Sequence, residues 1–300
     1  MLLHSILDKI GHTPLVRIRE VGKEIPQIAS GKVKVYAKLE YFNPGGSIKD
    51  RPAFRMIQEG LKSGQLTRDK VVLDSTSGNT GVAYAMIGAA LGLKVDLVMP
   101  ENVSPQRKLI VNSFGTNIIY SSPMEGSDGA IRLARKLLQE NPERYFMPDQ
   151  YNNEFNPRAH YDTTGVEIWN QTQGQVTHFI AGIGTGGTIM GTGRRMKDYN
   201  KKIQVIAVEP DNPMHGLEGM KHMASSIIPG IYKENELDEK ISMETEPAYD
   251  MSERLAHEEG LIVGHSSGGN MAAALRVAAR IQEGTIVTIF CDHGERYFEV

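Results

Sequence analysis

Short apolar runs alternate with longer segments of helical period along most of this chain, and that rhythm limits the fold more than any other feature. VKVYAKLEY (33–41) reads as a strand and FRMIQEGLKSGQ (54–65) as a helix. KVVLDST (70–76) is a strand, followed by TGVAYAMIGAALG (80–92), a helical pattern rich in small residues. KVDLVMP (94–100), PQRKLIVNSFG (105–115), TNIIYSS (116–122) and DGAIRLARKLLQEN (128–141) continue as strand, helix, strand, helix. VTHFIAGIG (176–184), IQVIAVEP (203–210) and TIVTIFCD (285–292) are further strands, with helices between them. Such alternation predicts an α/β fold of parallel sheets covered by helices on both faces. The irregular PDQYNNEFNP (148–157) is the candidate boundary between two α/β halves. Clefts at the carboxyl ends of strands are where such folds bind ligands.

Composition narrows the function classes. The 300 residues suffice for one large or two ordinary domains. A net charge of −3 gives no electrostatic case for nucleic acid or an anionic membrane surface. With Cys291 as the only cysteine, an intramolecular disulfide and a cysteine-based zinc site are excluded, and no metal site is expected. MLLHSILDKIG lacks the basic start and long apolar core of a signal peptide, and AYAMIGAALGL (83–93) is too short to span a bilayer. A cytoplasmic protein is the expectation.

Three loops of small residues carry the chemistry. In GGSIKD (45–50), Ser47 is placed to cap a helix with Lys49 just inside it. A cation there opposes the positive end of the helix dipole. That placement and a desolvated cleft would both favour the neutral amine, a nucleophile able to form a Schiff base. A solvated lysine at a helix start is the plainer alternative. STSGNTG (75–81) gathers hydroxyls, the Asn79 amide and free backbone N–H groups at another helix start. It reads equally as an anion site without a cation or as an over-capped helix. GIGTGGT (182–188) follows a strand and opens a helix, the arrangement that cradles a phosphate. Gly182, Gly184 and Gly187 also fit the dinucleotide fingerprint, and Glu209 stands about 20 residues further on, where such a site holds a ribose. An NAD-dependent oxidoreductase is therefore a rival.

GGSIKDR, STSGNTG and GTGGT, in this order and spacing, resemble the cysteine synthase/cystathionine β-synthase family of fold-type II pyridoxal-phosphate enzymes. The likeness runs from IGHTPLVRI (10–18) through DQYNNEFNPRAHYDTTGVEIW (149–169) to GHSSGGN (264–270) and CDHGERYF (291–298). GMKHMASSIIPGIY (219–232) and CDHGERY look most like the B-type O-acetylserine sulfhydrylases. The resemblance implies two open twisted sheets flanked by helices. A smaller, mobile substrate-binding domain would span 38–147, and a larger cofactor-binding domain 1–37 and 148–300. It implies pyridoxal 5'-phosphate, an amino-acid substrate, a sulfur nucleophile and a homodimer. Carried over by motif, Lys49 would be the Schiff-base lysine and α-proton base, and Asn79 would bond the cofactor's ring hydroxyl. Gly184, Thr185, Gly186, Gly187 and Thr188 would hold the phosphate, and Ser266 would meet the pyridine nitrogen. Thr76, Ser77, Thr80 and Gln150 would hold the substrate carboxylate, and Lys221 would read the leaving group. The implied reaction makes L-cysteine from O-acetyl-L-serine and sulfide through an α-aminoacrylate.

Other members of the family, or of its fold, stay open as alternatives. They are cystathionine β-synthase, O-phosphoserine sulfhydrylase, a serine or threonine dehydratase, and an idle amino-acid sensor, against which an intact Lys49 argues. Asp74-Ser75 stands where relatives often have Glu-Pro, and His265 precedes Ser266 where an aliphatic residue or glycine is commoner. His265 could titrate near neutral pH, although packing is the expected role.

Overall fold

A computed structural model describes residues 3–76 and 78–298. In chain order its strands and α-helices open with β1 (Leu15–Ile18), α1 (Pro26–Ala29), β2 (Val33–Leu39), α2 (Asp50–Lys62) and β3 (Val71–Ser75). Then come α3 (Asn79–Leu91), β4 (Lys94–Pro100), α4 (Pro105–Ser113), β5 (Asn117–Ser121) and α5 (Gly126–Glu140). After β6 (Tyr145–Phe146) follow α6 (Phe155–Asp162), α7 (Thr164–Gln171), β7 (His178–Gly182) and α8 (Gly187–Tyr199). The last elements are β8 (Gln204–Pro210), β9 (Glu239–Met243), α9 (Thr245–Glu259), α10 (His265–Ala278) and β10 (Gly284–Phe290).

The chain forms two compact α/β units. One holds the residues up to Ile10 with Asn43–Asn156; the other holds Gly11–Phe42 and the chain from Pro157 onward. The family resemblance implies a division at 38 and 147. Lys38 and Leu39 belong to β2, which pairs along its length with β10, so they stay with the second unit.

The first unit carries a parallel sheet in the order β5-β4-β3-β6. Side chains alternate across β3, so both of its faces need covers. Val72 packs with Ala53, Met56 and Ile57 of α2 and Tyr84 and Ile87 of α3. Val71 and Leu73 pack with Ala130 and Ala134 of α5. Burying each large aliphatic side chain in these layers contributes about 1.5–3 kcal/mol. α3 is buried nearly all round, as its small-residue composition requires. At Gly88 a Cβ would lie 2.4 Å from Val95, so a glycine lets the helix approach β4.

The second unit carries a sheet in the order β1-β2-β10-β7-β8-β9. Its core joins Ile180, Val208, Ile286 and Phe290 of the sheet to Met271, Leu275 and Val277 of α10. The expected all-parallel pairing fails at one edge: β1 runs antiparallel to β2. β1 follows no crossover helix, so nothing constrains it to run parallel. The remaining ladders of both sheets are parallel, and the α/β class with two helix-flanked sheets is as expected.

Candidate active site

Lys49 is the N-cap of α2, and Asp50 is the first helical residue. The expectation that Ser47 caps the helix with Lys49 inside it is corrected. The Ser47 hydroxyl instead accepts the Lys49 N–H at 3.2 Å, and α2 has no side-chain cap at its N-cap. The group that organises the turn is Asp50, which is fully buried and accepts the Gly45 N–H at 2.5 Å. A Cβ on Gly45 would stand 2.4 Å from the same carboxylate. Glycine is therefore needed there for close approach. Asp50 also places a negative charge in the first turn, where the dipole favours one. Lys49, half-buried, emerges from this clamped turn.

The second loop links β3 to α3. Thr76 donates its N–H to Val98 O at 3.0 Å, and its hydroxyl accepts the Gly78 N–H at 3.2 Å. Gly78, the N-cap of α3, has no side chain to cap it; Asn79 is the first helical residue, and the Gly81 N–H donates to Gly78 O at 3.0 Å. Thr80 and Gln150 meet: the Thr80 hydroxyl donates to Gln150 Oε1 at 2.9 Å, and Gln150 Nε2 donates to Ser75 O at 3.3 Å. Both side chains are buried. Ser77 lies outside the described residues.

Asp74, one residue before this loop, is fully buried and was singled out in the sequence only as a departure. Burial pushes its carboxyl up to about 7, and the Asp149 charge adds to that. The Ser75 N–H and the Tyr84 hydroxyl, both donated to Asp74, oppose the rise.

In the second unit the third loop runs from β7 to the start of α8. Gly186 has φ +88°, a conformation that L side chains rarely adopt, and a Cβ there would lie 3.2 Å from Tyr232. Thr185 Oγ1 accepts the Gly187 N–H at 3.3 Å. Gly184 lies between β7 and this turn, and the first N–H groups of α8 have no acceptor within the helix. His160 Nε2 lies 3.4 Å from the Thr188 hydroxyl, and its Nδ1 lies 2.9 Å from Thr164. The Tyr232 hydroxyl is buried without a hydrogen-bond partner, and burial lifts its pKa to about 12. Lys221 is tied to this loop by its backbone, its N–H donating to Ile183 O at 2.8 Å.

Ser266 is the second residue of α10 and is almost fully buried. Asn270, one turn further on, approaches Gly182 closely enough that a Cβ there would be 3.1 Å from Oδ1. The start of α10 and the end of β7 are thus adjacent. His265 packs as expected, stacked on Tyr249 with ring centroids 3.7 Å apart, and burial lowers its pKa. Sequence reasoning missed Tyr84, His160 and Tyr232. The signal available for Tyr84 was a lone aromatic four residues after Thr80 in a helix of small side chains.

The acid that a dinucleotide site would need is engaged elsewhere. Glu209 pairs with Lys240 at 3.1 Å and accepts the Met223 N–H at 3.4 Å. Among the described residues no group of His, Cys, Asp or Glu is arranged to hold a metal, and no helix is long and apolar enough to cross a membrane.

A family profile described as pyridoxal-phosphate dependent enzyme matches residues 6–292. Over 297 residues the chain is 53% identical to a cysteine synthase of Aquifex aeolicus, covering 98% of this chain and 90% of that one. It is 40% identical over 295 residues to cysteine synthase B of Pseudomonas aeruginosa, covering 98% and 95%. The fold matches the crystal structure of cysteine synthase (OASS) from Entamoeba histolytica with a TM-score of 0.94 at 37% identity, over 99% of this chain and 89% of that one. The chain belongs to the pyridoxal-phosphate dependent enzymes and, within them, to the cysteine synthase/cystathionine β-synthase family of fold type II. Its residues fit that cofactor. The Gly186 turn and the open N-terminus of α8 form a cradle that a side chain at 186 would fill, the arrangement a phosphate needs. Ser266 offers a hydroxyl at a helix start, and the Tyr232 phenol is orphaned beside the cradle.

Proposed function

We propose that this chain makes L-cysteine from O-acetyl-L-serine and sulfide, as a cysteine synthase of the O-acetylserine sulfhydrylase type. Near-full-length identity to cysteine synthases carries the reading. When bound, pyridoxal 5'-phosphate supplies a sink for the electron pair left by the breaking α C–H bond. Lys49 Nζ is assigned as the amine that holds the cofactor, takes the substrate α-proton and returns it after sulfur has added. Asn79 is assigned to the cofactor's ring hydroxyl, and Gly184, Thr185, Gly186, Gly187 and Thr188 to its phosphate. Ser266 is assigned to the ring nitrogen. A hydroxyl, unlike a carboxylate, does not keep that nitrogen protonated, which suits loss of a β-substituent.

Thr76, Ser77, Thr80 and Gln150 are assigned to the substrate carboxylate. The Thr80–Gln150 pair, buried at the start of α3, supports this, since a carboxylate held by hydrogen bonds at a helix N-terminus requires no cation. The first unit then binds substrate and the second holds the cofactor's phosphate and ring nitrogen. Lys221 is assigned to the leaving group or sulfur donor, supported by its backbone tie to Ile183. A point charge there favours an anionic group without requiring one. A cytoplasmic homodimer is part of the same reading, drawn from the family resemblance.

The test is product formation. O-Acetylserine, O-phosphoserine and serine are each offered with sulfide and with homocysteine, and kcat/KM is compared. O-Acetylserine with sulfide is expected to lead. If serine with homocysteine leads, cystathionine synthesis replaces this reading.

A further inference from the structure

Asp74 sits in a closed circuit of buried hydrogen bonds. Its Oδ2 accepts the Tyr84 hydroxyl at 2.9 Å and its Oδ1 accepts the Ser75 N–H at 2.8 Å. The carbonyl of the same Ser75 accepts Gln150 Nε2, and Gln150 Oε1 accepts the Thr80 hydroxyl. Thr80 and Tyr84 stand four residues apart on α3, on one face of the helix. The circuit therefore runs from the end of β3 through the loop at Gln150, onto the first turn of α3 and back to Asp74. Each of these side chains is at least nine-tenths buried. The loop from Thr76 to Asn79 lies between its ends in sequence.

We propose that Asp74 is a positioning residue for amino-acid binding: with Tyr84 and the backbone of Ser75 it fixes Thr80 and Gln150 at the start of α3. This rests on the carboxylate-binding role assigned above to Thr80 and Gln150. The Tyr84 hydroxyl ties α3 to β3, and the Asp74 carboxylate holds the N–H of Ser75, whose carbonyl, in the next peptide, accepts Gln150. The ionised carboxylate serves both donors at once. Protonated Asp74 carries a hydrogen on one oxygen and is the weaker acceptor for the pair. Facing it are Tyr84 from α3 and, from the segment after β6, Asp149 and Tyr151, with Asp128 of α5 acting on Tyr151. None of these is a cation, so burial and Asp149 hold Asp74 near the point where it titrates, at about 7. The circuit is then complete on the alkaline side of neutrality and slackens on the acid side.

The experiment measures the dissociation constant of L-serine for the cofactor-loaded enzyme by calorimetry, in wild type, Asp74→Asn, Tyr84→Phe and Gln150→Ala, from about pH 6 to about pH 8. Cofactor content and thermal midpoint are recorded for each. Tyr84→Phe keeps the ring in place and removes only the hydroxyl, so it serves should Asp74→Asn fail to fold. Tyr84→Phe is expected to weaken serine binding about three- to tenfold at pH 8 with full cofactor content. The ratio of Asp74→Asn to wild-type dissociation constants is expected to rise from near one at pH 6 to about three- to tenfold at pH 8. The substrate amino group titrates alike in both proteins and cancels from that ratio. If Gln150→Ala weakens binding while Tyr84→Phe does not, or the ratio is flat with pH, the positioning role is overturned. If Gln150→Ala itself leaves serine affinity unchanged, the carboxylate assignment fails instead, and this proposal with it.

Discussion

The buried carboxylate of Asp50 accepts the backbone N–H of Gly45 at 2.5 Å, folding the chain back across the turn that presents Lys49. This contact explains how a cation comes to stand at a helix start. The helix dipole is met by Asp50 in the first turn, which leaves Lys49 at the N-cap position, half-buried.

Gly45→Ala is expected to destabilise the protein, because its Cβ would stand 2.4 Å from the Asp50 carboxylate. Overpacking of this kind costs about 1–3 kcal/mol. In an Asp50→Ala background the same change should cost less, since the collision is gone. Urea unfolding of the four proteins in this cycle gives the coupling. Equal costs in both backgrounds would show that the two groups do not constrain each other.

Gly186→Ala tests the phosphate cradle. The left-handed backbone at 186 disfavours a side chain by about 1–2 kcal/mol, and Tyr232 stands in the way. Faster loss of pyridoxal phosphate on dialysis, followed by absorbance, is the expected result. Retention equal to wild type would remove the loop from the cofactor site.

How much of this was readable in advance depends on how local each constraint is. The loops at 45–50, 75–81 and 182–188 announce themselves because glycine at a positive φ or a close approach is a one-residue property. Gly186 and Gly45 are such cases. Strands β3, β4 and β8 were visible because each carries an apolar stretch, Val71–Leu73, Leu97–Met99 and Val205–Val208, as burial on two faces demands. β9 was missed because Glu239 and Lys240 interrupt its pattern. Their partners, Arg280 and Glu209, are far away in sequence. The cap of α2 was misplaced by two residues, at Ser47 instead of Lys49, because Asp50 bonds to Gly45, a contact that no capping rule describes. Tyr84 escaped notice for the same reason: its partner Asp74 lies on a different element.

Asp74 also predicts how stability varies with pH. Its folded pKa, about 7, is above its ordinary value of 3.8, so the folded state holds the proton more tightly than the unfolded chain. Its contribution is fully present below pH of about 4 and is lost as the pH rises to about 7, a change on the order of a few kcal/mol. Urea midpoints of wild type should fall relative to those of Asp74→Asn across that window. A constant difference between the two proteins would mean that Asp74 ionises with an ordinary pKa.

The most direct measurement is to locate the covalent attachment of the cofactor. The purified, pyridoxal-phosphate-loaded enzyme is reduced with borohydride, digested and mapped by mass spectrometry. The phosphopyridoxyl mass is predicted on the peptide that carries Lys49, and Lys49→Ala should yield no modified peptide at that position and no cysteine from O-acetylserine and sulfide. The modification on another lysine of the wild-type protein, with Lys49 unmodified, would contradict the account.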